Sequence, residues 1–302
     1  MKHPPKFKAF LASVRTPNLP SVACNVFSGI AFAAVAVPIT TWHAAAAITS
    51  GICLYLAGNL LNDWHDREWD AIHRPERALP QRIFQASSYL MLAITLCGAG
   101  LIASAINPRS LATAIVIIGL FLIYTKTHKI WKLAVIPMGL CRALLPLLGY
   151  FACAAPLSAS LQPPQALTLF AVSLLVHVCG LSLIARLESL ATPSAKLAPD
   201  LIYPIAVALT TLATHSSNNI GFNHVWPAAL PYLAWSFLAI FLLRKSVHSG
   251  VSMLLAGIPL IDWMFLIPLS KYAGTQLSPF ALLAPPVACL LGKFLQKIVP
   301  AT

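Results

Sequence analysis

Residues 44–70 read AAAAITSGICLYLAGNLLNDWHDREWD, in which eighteen largely apolar residues run straight into nine that hold four acids. As a helix rising 1.5 Å per residue, the first part spans most of a ~30 Å hydrocarbon core. Nothing interrupts the passage into the second part, so the acids are predicted on a helix end emerging at the membrane surface. The whole chain has only eight Asp and Glu residues, and five of them fall between Asp63 and Glu76.

The rest of the chain explains why such a cluster stands out. Its 302 residues are 58% hydrophobic and 9% charged, too little polar surface to cover a water-soluble fold. The predicted class is therefore all-α: a polytopic helical bundle in a membrane, forming one domain over residues 1–302. Ten spans are expected, near 20–41, 43–61, 85–104, 110–125, 133–154, 166–185, 200–215, 225–243, 250–270 and 278–296. The net charge of +12 does not point to nucleic acid, because the basic residues are spread among connections and form no patch on a soluble domain. Ten crossings place 17 of the 20 Lys and Arg residues on one side, with Arg109 and Lys271 opposite and Arg142 inside a span. By the positive-inside rule, both termini and the acidic stretch are expected on the cytoplasmic side, in the manner of a bacterial inner-membrane protein with no removable signal peptide. Seven cysteines lie in or beside apolar segments without metal spacing, which predicts neither a zinc site nor disulfides.

Within the acidic stretch, Asp63, Asp66 and Asp70 are spaced i, i+3 and i+7, which sets three carboxylates on one helix face. Like charges so placed repel, and a divalent cation turns that repulsion into ligation. Oxygen donors without a Cys or His cluster favour a hard ion such as Mg²⁺, which takes one or two carboxylates together with phosphate oxygens and water. A plain solvated loop would also carry charge, but every other connection is poor in acid. Arg74, Arg77 and Arg82 follow at once, and arginine forks bind phosphate oxygens in pairs. Acids, metal and arginines together describe a diphosphate site at the membrane surface, with His65 and Glu68 pointing away from it.

These residues resemble the first aspartate-rich motif of the UbiA superfamily of intramembrane prenyltransferases. The match runs through Asn62, Asp63, Asp66, Asp70, Arg74-Pro75-Glu76-Arg77 and Pro80. Residues 15–29 (RTPNLPSVACNVFSG), 124–129 (YTKTHK) and 138–150 (MGLCRALLPLLGY) are similar to the family's first helix, its basic connection after the fourth, and its fifth helix. The resemblance implies a nine-helix core around a central cavity, Mg²⁺ as cofactor, and transfer of an isoprenyl group from a polyprenyl diphosphate to a lipophilic, aromatic acceptor. It assigns Asn62, Asp63, Asp66 and Asp70 to catalysis, and Asp63, Asp66, Asp70 and Glu188 to metal. Arg74, Arg77, Tyr124 and Lys126 would bind the diphosphate; Arg15, Asn18, Asn25 and Arg142 would lie on the acceptor side. The chain departs from the family where a second aspartate-rich motif is expected: residues 181–200 read LSLIARLESLATPSAKLAPD, with Glu188 near the place and Asp200 a loop away. Together with MGLCRALLPLLGY and Arg186, this resembles the UbiA-like proteins of Ebo-type gene clusters. The missing motif keeps a second function open, a scaffold that binds or helps export a lipid or secondary metabolite. A CDP-alcohol phosphotransferase is set aside because its glycine- and arginine-containing aspartate motif is absent.

Ionisable groups inside a bilayer are costly and invite a functional reading. Arg142 and Asp262 are candidates for a mutual lock between helices, or Arg142 for a place in the cavity. His177 shares a helix face with Glu188 and is read as an interhelical hydrogen-bonding residue near the cavity. Trp235, Phe237 and Phe241 are candidates to shield an allylic cation with their π faces.

Overall fold

A computed structural model describes residues 5–154, 163–186, 222–272 and 277–300. The described residues contain helices and no strands. In chain order the α-helices are α1 Lys6–Ser13, α2 Leu19–Ala34, α3 Thr41–His73, α4 Ala86–Ser104, α5 Pro108–Thr127 and α6 Val135–Cys153. There follow α7 Gln165–Ala185, α8 Phe222–Leu243, α9 Val247–Ala256, α10 Ile258–Tyr272 and α11 Pro279–Leu295. Nine of the ten predicted spans carry helices; the segment 200–215 lies outside the described residues. Among the described residues, six helical stretches are long and apolar enough to cross a membrane, and shorter apolar helices cover Pro227–Leu243 and Pro279–Leu295. The chain is a multi-pass membrane protein.

Local sequence sets several helix limits. Asn107 accepts a hydrogen bond from the Arg109 backbone N–H at 2.9 Å, and Pro108 takes the first position of α5, where a missing N–H costs nothing. The predicted single span at 250–270 is two helices meeting at Gly257. Pro259 cannot donate to the Leu255 carbonyl, so the ladder breaks there. A side chain at Gly257 would also meet Trp235 Cδ1 at 2.5 Å.

Helix α3, at 33 residues, is about 50 Å long and exceeds the hydrocarbon thickness, so its acidic end projects beyond it. It packs along α4, while α6 is flanked by α2, α5 and α7. Two glycines let α2 and α6 touch backbone to backbone. A Cβ on Gly29 would stand 1.8 Å from the Pro146 carbonyl oxygen, and one on Gly149 would stand 2.1 Å from that of Val26. Such small-residue contacts are the usual means of close helix packing where no hydrophobic force drives association. Val22, Val26, Leu54, Leu145 and Leu148 close the core beside this crossing. A second core joins Tyr150, Phe170, Tyr232 and Phe265. Outward faces carry exposed Ile94, Ile115, Ile123, Phe280 and Leu290, a surface suited to lipid. All seven cysteines are free.

Candidate functional site

The acidic half of α3 forms one wall of a cavity of about 410 Å³. Leu54, Gly58, Asn62, Asp66 and Asp70 descend this wall at four-residue intervals, the i, i+4 spacing of a single helix face. Phe121 and Tyr124 of α5, Cys141 and Arg142 of α6, Leu181 of α7 and Leu255 of α9 close the other sides. The lining is charged at the end where α3 terminates and mainly apolar elsewhere.

At the charged end, acids and bases are woven together. Arg77 donates to Asp70 Oδ2 at 2.8 Å and to Asp63 Oδ1 at 3.4 Å. Arg15 reaches the same Asp63 oxygen at 3.5 Å and donates to Asn59 Oδ1. Arg15 stands between α1 and α2 in the left-handed region, φ 50°, a conformation unfavourable for a side-chain-bearing residue that is held here by these contacts. Asp66 takes Lys129 Nζ at 2.7 Å on one oxygen and His128 Nε2 at 3.1 Å on the other. Asn62 donates to Asp66 Oδ2 at 3.2 Å, while its own Oδ1 is buried with no hydrogen-bond partner.

The connection after α5 is itself held in place. Arg186 donates to the carbonyls of His128 and Trp131 at 2.6 and 3.1 Å, tying the end of α7 to the segment that delivers His128 and Lys129. The His128 ring stacks on Tyr124 at 4.9 Å, and Lys129 Nζ lies 4.4 Å over the Trp69 ring. The Lys129 contact sits at the charged end of the cavity, where partial desolvation strengthens a cation over an aromatic face.

A family model described as the UbiA prenyltransferase family matches residues 22–296. The chain belongs to this family. It is 33% identical over 110 residues to a digeranylgeranylglyceryl phosphate synthase from Methanothrix thermoacetophila, covering 36% of this chain and 39% of that one. It is 32% identical over 127 residues to one from Ignicoccus hospitalis, covering 41% and 40%. The chain thus spans about two fifths of the length of the curated relatives it matches. Its fold is similar to that of a UbiA homolog from Aeropyrum pernix K1, with TM-score 0.55, 14% identity and coverage of 92% and 98%. A UbiA homolog from Archaeoglobus fulgidus gives TM-score 0.58, 13% identity and coverage of 89% and 99%. The match is to the UbiA family as a whole and bears on no branch within it.

Most of the residues singled out by the UbiA resemblance come together. Asn62, Asp66, Asp70, Arg74, Arg77, Tyr124, Arg15, Asn18 and Arg142 all line the cavity. Asp63 does not line it; it is buried behind the wall between Arg15 and Arg77. Among the described residues, no three His, Cys, Asp or Glu side chains converge as a metal cage, since each acid faces a cation. Lys126 is exposed and away from the cavity; Lys129 and His128 take the expected place. Helical phase gives the reason, because Tyr124 and His128 are one turn apart whereas Lys126 is turned about 200° from Tyr124. That signal was present in YTKTHK. Arg82 is likewise exposed, and His65, expected to point away, has Nδ1 at 3.3 Å from Asp66 Oδ1. Asn25 is not on the cavity: it is fully buried and donates to Asp262 Oδ2 at 2.7 Å. Glu188 and Asp200 lie outside the described residues.

The intramembrane candidates also sort themselves. Asp262 accepts from Asn25 and, at 2.6 Å, from Ser28, so it forms no direct pair with Arg142. His177 is an interhelical link, 3.0 Å from the Tyr232 hydroxyl, and does not line the cavity. Phe237 and Phe241 face outward, and Trp235 donates to the Met253 carbonyl at 2.7 Å. The aromatic lining comes instead from Tyr55, Trp69, Phe121 and Tyr124.

Proposed function

We propose that this protein moves an isoprenyl group from a prenyl diphosphate to a lipophilic, electron-rich acceptor inside the membrane, an aromatic ring being the class best suited to attack an allylic cation. The observation that carries this reading is one cavity with Asp66, Asp70, Arg74, Arg77 and Lys129 at its mouth and an apolar interior beyond them. In the reaction, the bond from the allylic carbon to the diphosphate oxygen breaks with its electron pair leaving on oxygen. The acceptor then bonds to that carbon and releases a proton.

Arg74, Arg77 and Lys129 would hold the diphosphate and stabilise the charge that grows on it. The apolar walls exclude water from the allylic cation. Phe121 and Tyr124 offer π faces along its path.

Mg²⁺ suits the donor chemistry, because Asn62 Oδ1, Asp66 and Asp70 are hard oxygens on one face, with Asp63 behind. When bound, the ion would neutralise charge on the leaving diphosphate. Its seat would be Asn62, Asp66 and Asp70, whose carboxylates now hold Arg77 and Lys129. A magnesium diphosphate brings both charges at once, so acids and cations can exchange partners without leaving a buried charge alone. The concentration of positive residues at this end favours a cytoplasmic mouth.

The test is purified protein with geranyl or geranylgeranyl diphosphate and a panel of lipophilic acceptors. Magnesium-dependent diphosphate release that Asp66→Ala abolishes supports the reading. Tight binding of a lipid with no turnover across the panel would instead establish a non-catalytic carrier.

A further inference from the structure

From the mouth inward, the cavity face of α3 passes from the carboxylates of Asp70 and Asp66 to the amide of Asn62, then to Gly58 and Leu54. Helix packing does not call for the glycine. A Cβ at Gly58 would meet the Phe121 ring first, at 3.5 Å, an ordinary contact, whereas Gly29 and Gly149 are pressed against backbone. Glycine inside a helix costs stability relative to alanine, and what Gly58 provides in return is open space. The space is a groove between α3 and Phe121 of α5, continuous with the cavity.

Below the groove the cavity ends. Leu54 of α3, Ile117 of α5 and Leu145 of α6 line its apolar bottom and are 1%, 3% and 4% exposed. Val26, Ala114 and Leu148, each 0% exposed, belong to the same core and close it from behind. Eight residues of α3 separate Asn62 from Leu54, about 12 Å of helix rise. An isoprene unit adds four carbon–carbon bonds of about 1.5 Å each, about 5 Å of extended chain. With the diphosphate beside Asp66 and Asp70, two units fit into about 12 Å, a third meets the floor, and a fourth overruns it by about 8 Å.

We infer that Gly58 and Leu54 set the length of the prenyl donor: the tail lies in the groove between Gly58 and Phe121 and stops at Leu54, which selects geranyl and farnesyl diphosphates over geranylgeranyl diphosphate. This rests on the cavity being the donor's seat, as proposed above, and adds the class of donor. Each unit up to the floor buries more apolar surface and strengthens binding; beyond the floor a further unit must fold back or push the leucine aside.

The test is equilibrium binding of dimethylallyl, geranyl, farnesyl and geranylgeranyl diphosphates to the full chain, with Mg²⁺, without acceptor and in one neutral detergent. Affinity ratios between donors are compared across variants, because partition into detergent is the same for each protein and cancels. In the unaltered protein affinity should rise about tenfold from dimethylallyl to geranyl and fall at geranylgeranyl. Leu54→Ala should raise geranylgeranyl against geranyl about tenfold by opening the floor. Gly58→Leu should lower geranyl against dimethylallyl about tenfold by filling the groove. Geranylgeranyl binding the unaltered protein more tightly than farnesyl overturns the inference, as does a ratio that either substitution leaves unchanged. If Leu54→Ala does not fold, the unaltered series and Gly58→Leu still decide. Loss of binding across the whole series refutes the donor site itself, whereas binding indifferent to length refutes this inference alone. No turnover is needed, so a failed transferase assay leaves the result standing.

Discussion

Arg77→Gln takes a guanidinium away from two buried carboxylates at once, Asp70 at 2.8 Å and Asp63 at 3.4 Å. Breaking a buried ion pair by removing one partner costs roughly 3–5 kcal/mol, because the remaining charge is left without compensation. The Arg77 side chain is 20% exposed, so water relieves part of this, and a loss of about 2 kcal/mol is expected. In EDTA the thermal midpoint of the detergent-solubilised variant should therefore fall by roughly 4–8 °C. Magnesium should then act more strongly on the variant than on the unaltered protein. In the latter the ion competes with a guanidinium; in the variant the carboxylates are open. An ion at a hundred times its Kd contributes about 2.7 kcal/mol, enough to bring the variant back to its starting midpoint. Equal magnesium shifts in the two proteins would refute the view that these carboxylates hold the metal. An unchanged midpoint in EDTA would refute the assigned pairing itself.

Lys129→Gln should weaken magnesium-dependent geranyl diphosphate binding about tenfold, the loss of one charged hydrogen bond, while Lys126→Gln leaves it unchanged; calorimetric titration of both separates them. Gly149→Ala would force a Cβ to 2.1 Å from the Val26 carbonyl oxygen, so α2 and α6 must part, lowering stability by about 2–3 kcal/mol in thermal unfolding. Asp262→Ala strands the Asn25 amide and the Ser28 hydroxyl and should cost about 2–4 kcal/mol; Asp262→Asn, which still offers an oxygen, should cost less.

The run of apolar residues from Ala44 to Leu61, the absence of a break before Asn62, and the helical spacing of Asp63, Asp66 and Asp70 were enough to foresee a membrane helix with an acidic end. Helix α3 carries all of it. Hydropathy and helical period are local properties, and a chain read in one dimension contains them in full. The same reasoning, applied with more care to phase, separates His128 from Lys126; Lys129 lies beyond the end of α5, and the fold placed it.

Which base meets which acid was decided only in three dimensions. Asn25 and Asp262 stand 237 residues apart, and their hydrogen bond withdrew Asn25 from the cavity and gave Asp262 a partner other than Arg142. Arg142 and Ser21, 121 residues apart, came together in the same way. Asp63 was drawn behind the wall by two arginines approaching from different segments, Arg15 and Arg77. In a low-dielectric interior a charge binds whatever partner packing brings within a few ångströms, and the direction a side chain takes follows from that partner. Spacing along the chain put the acids on one face of α3; the crossing of α2 and α6 at Gly29 and Gly149, and the placement of the segment after α5 by Arg186, determined what that face would meet.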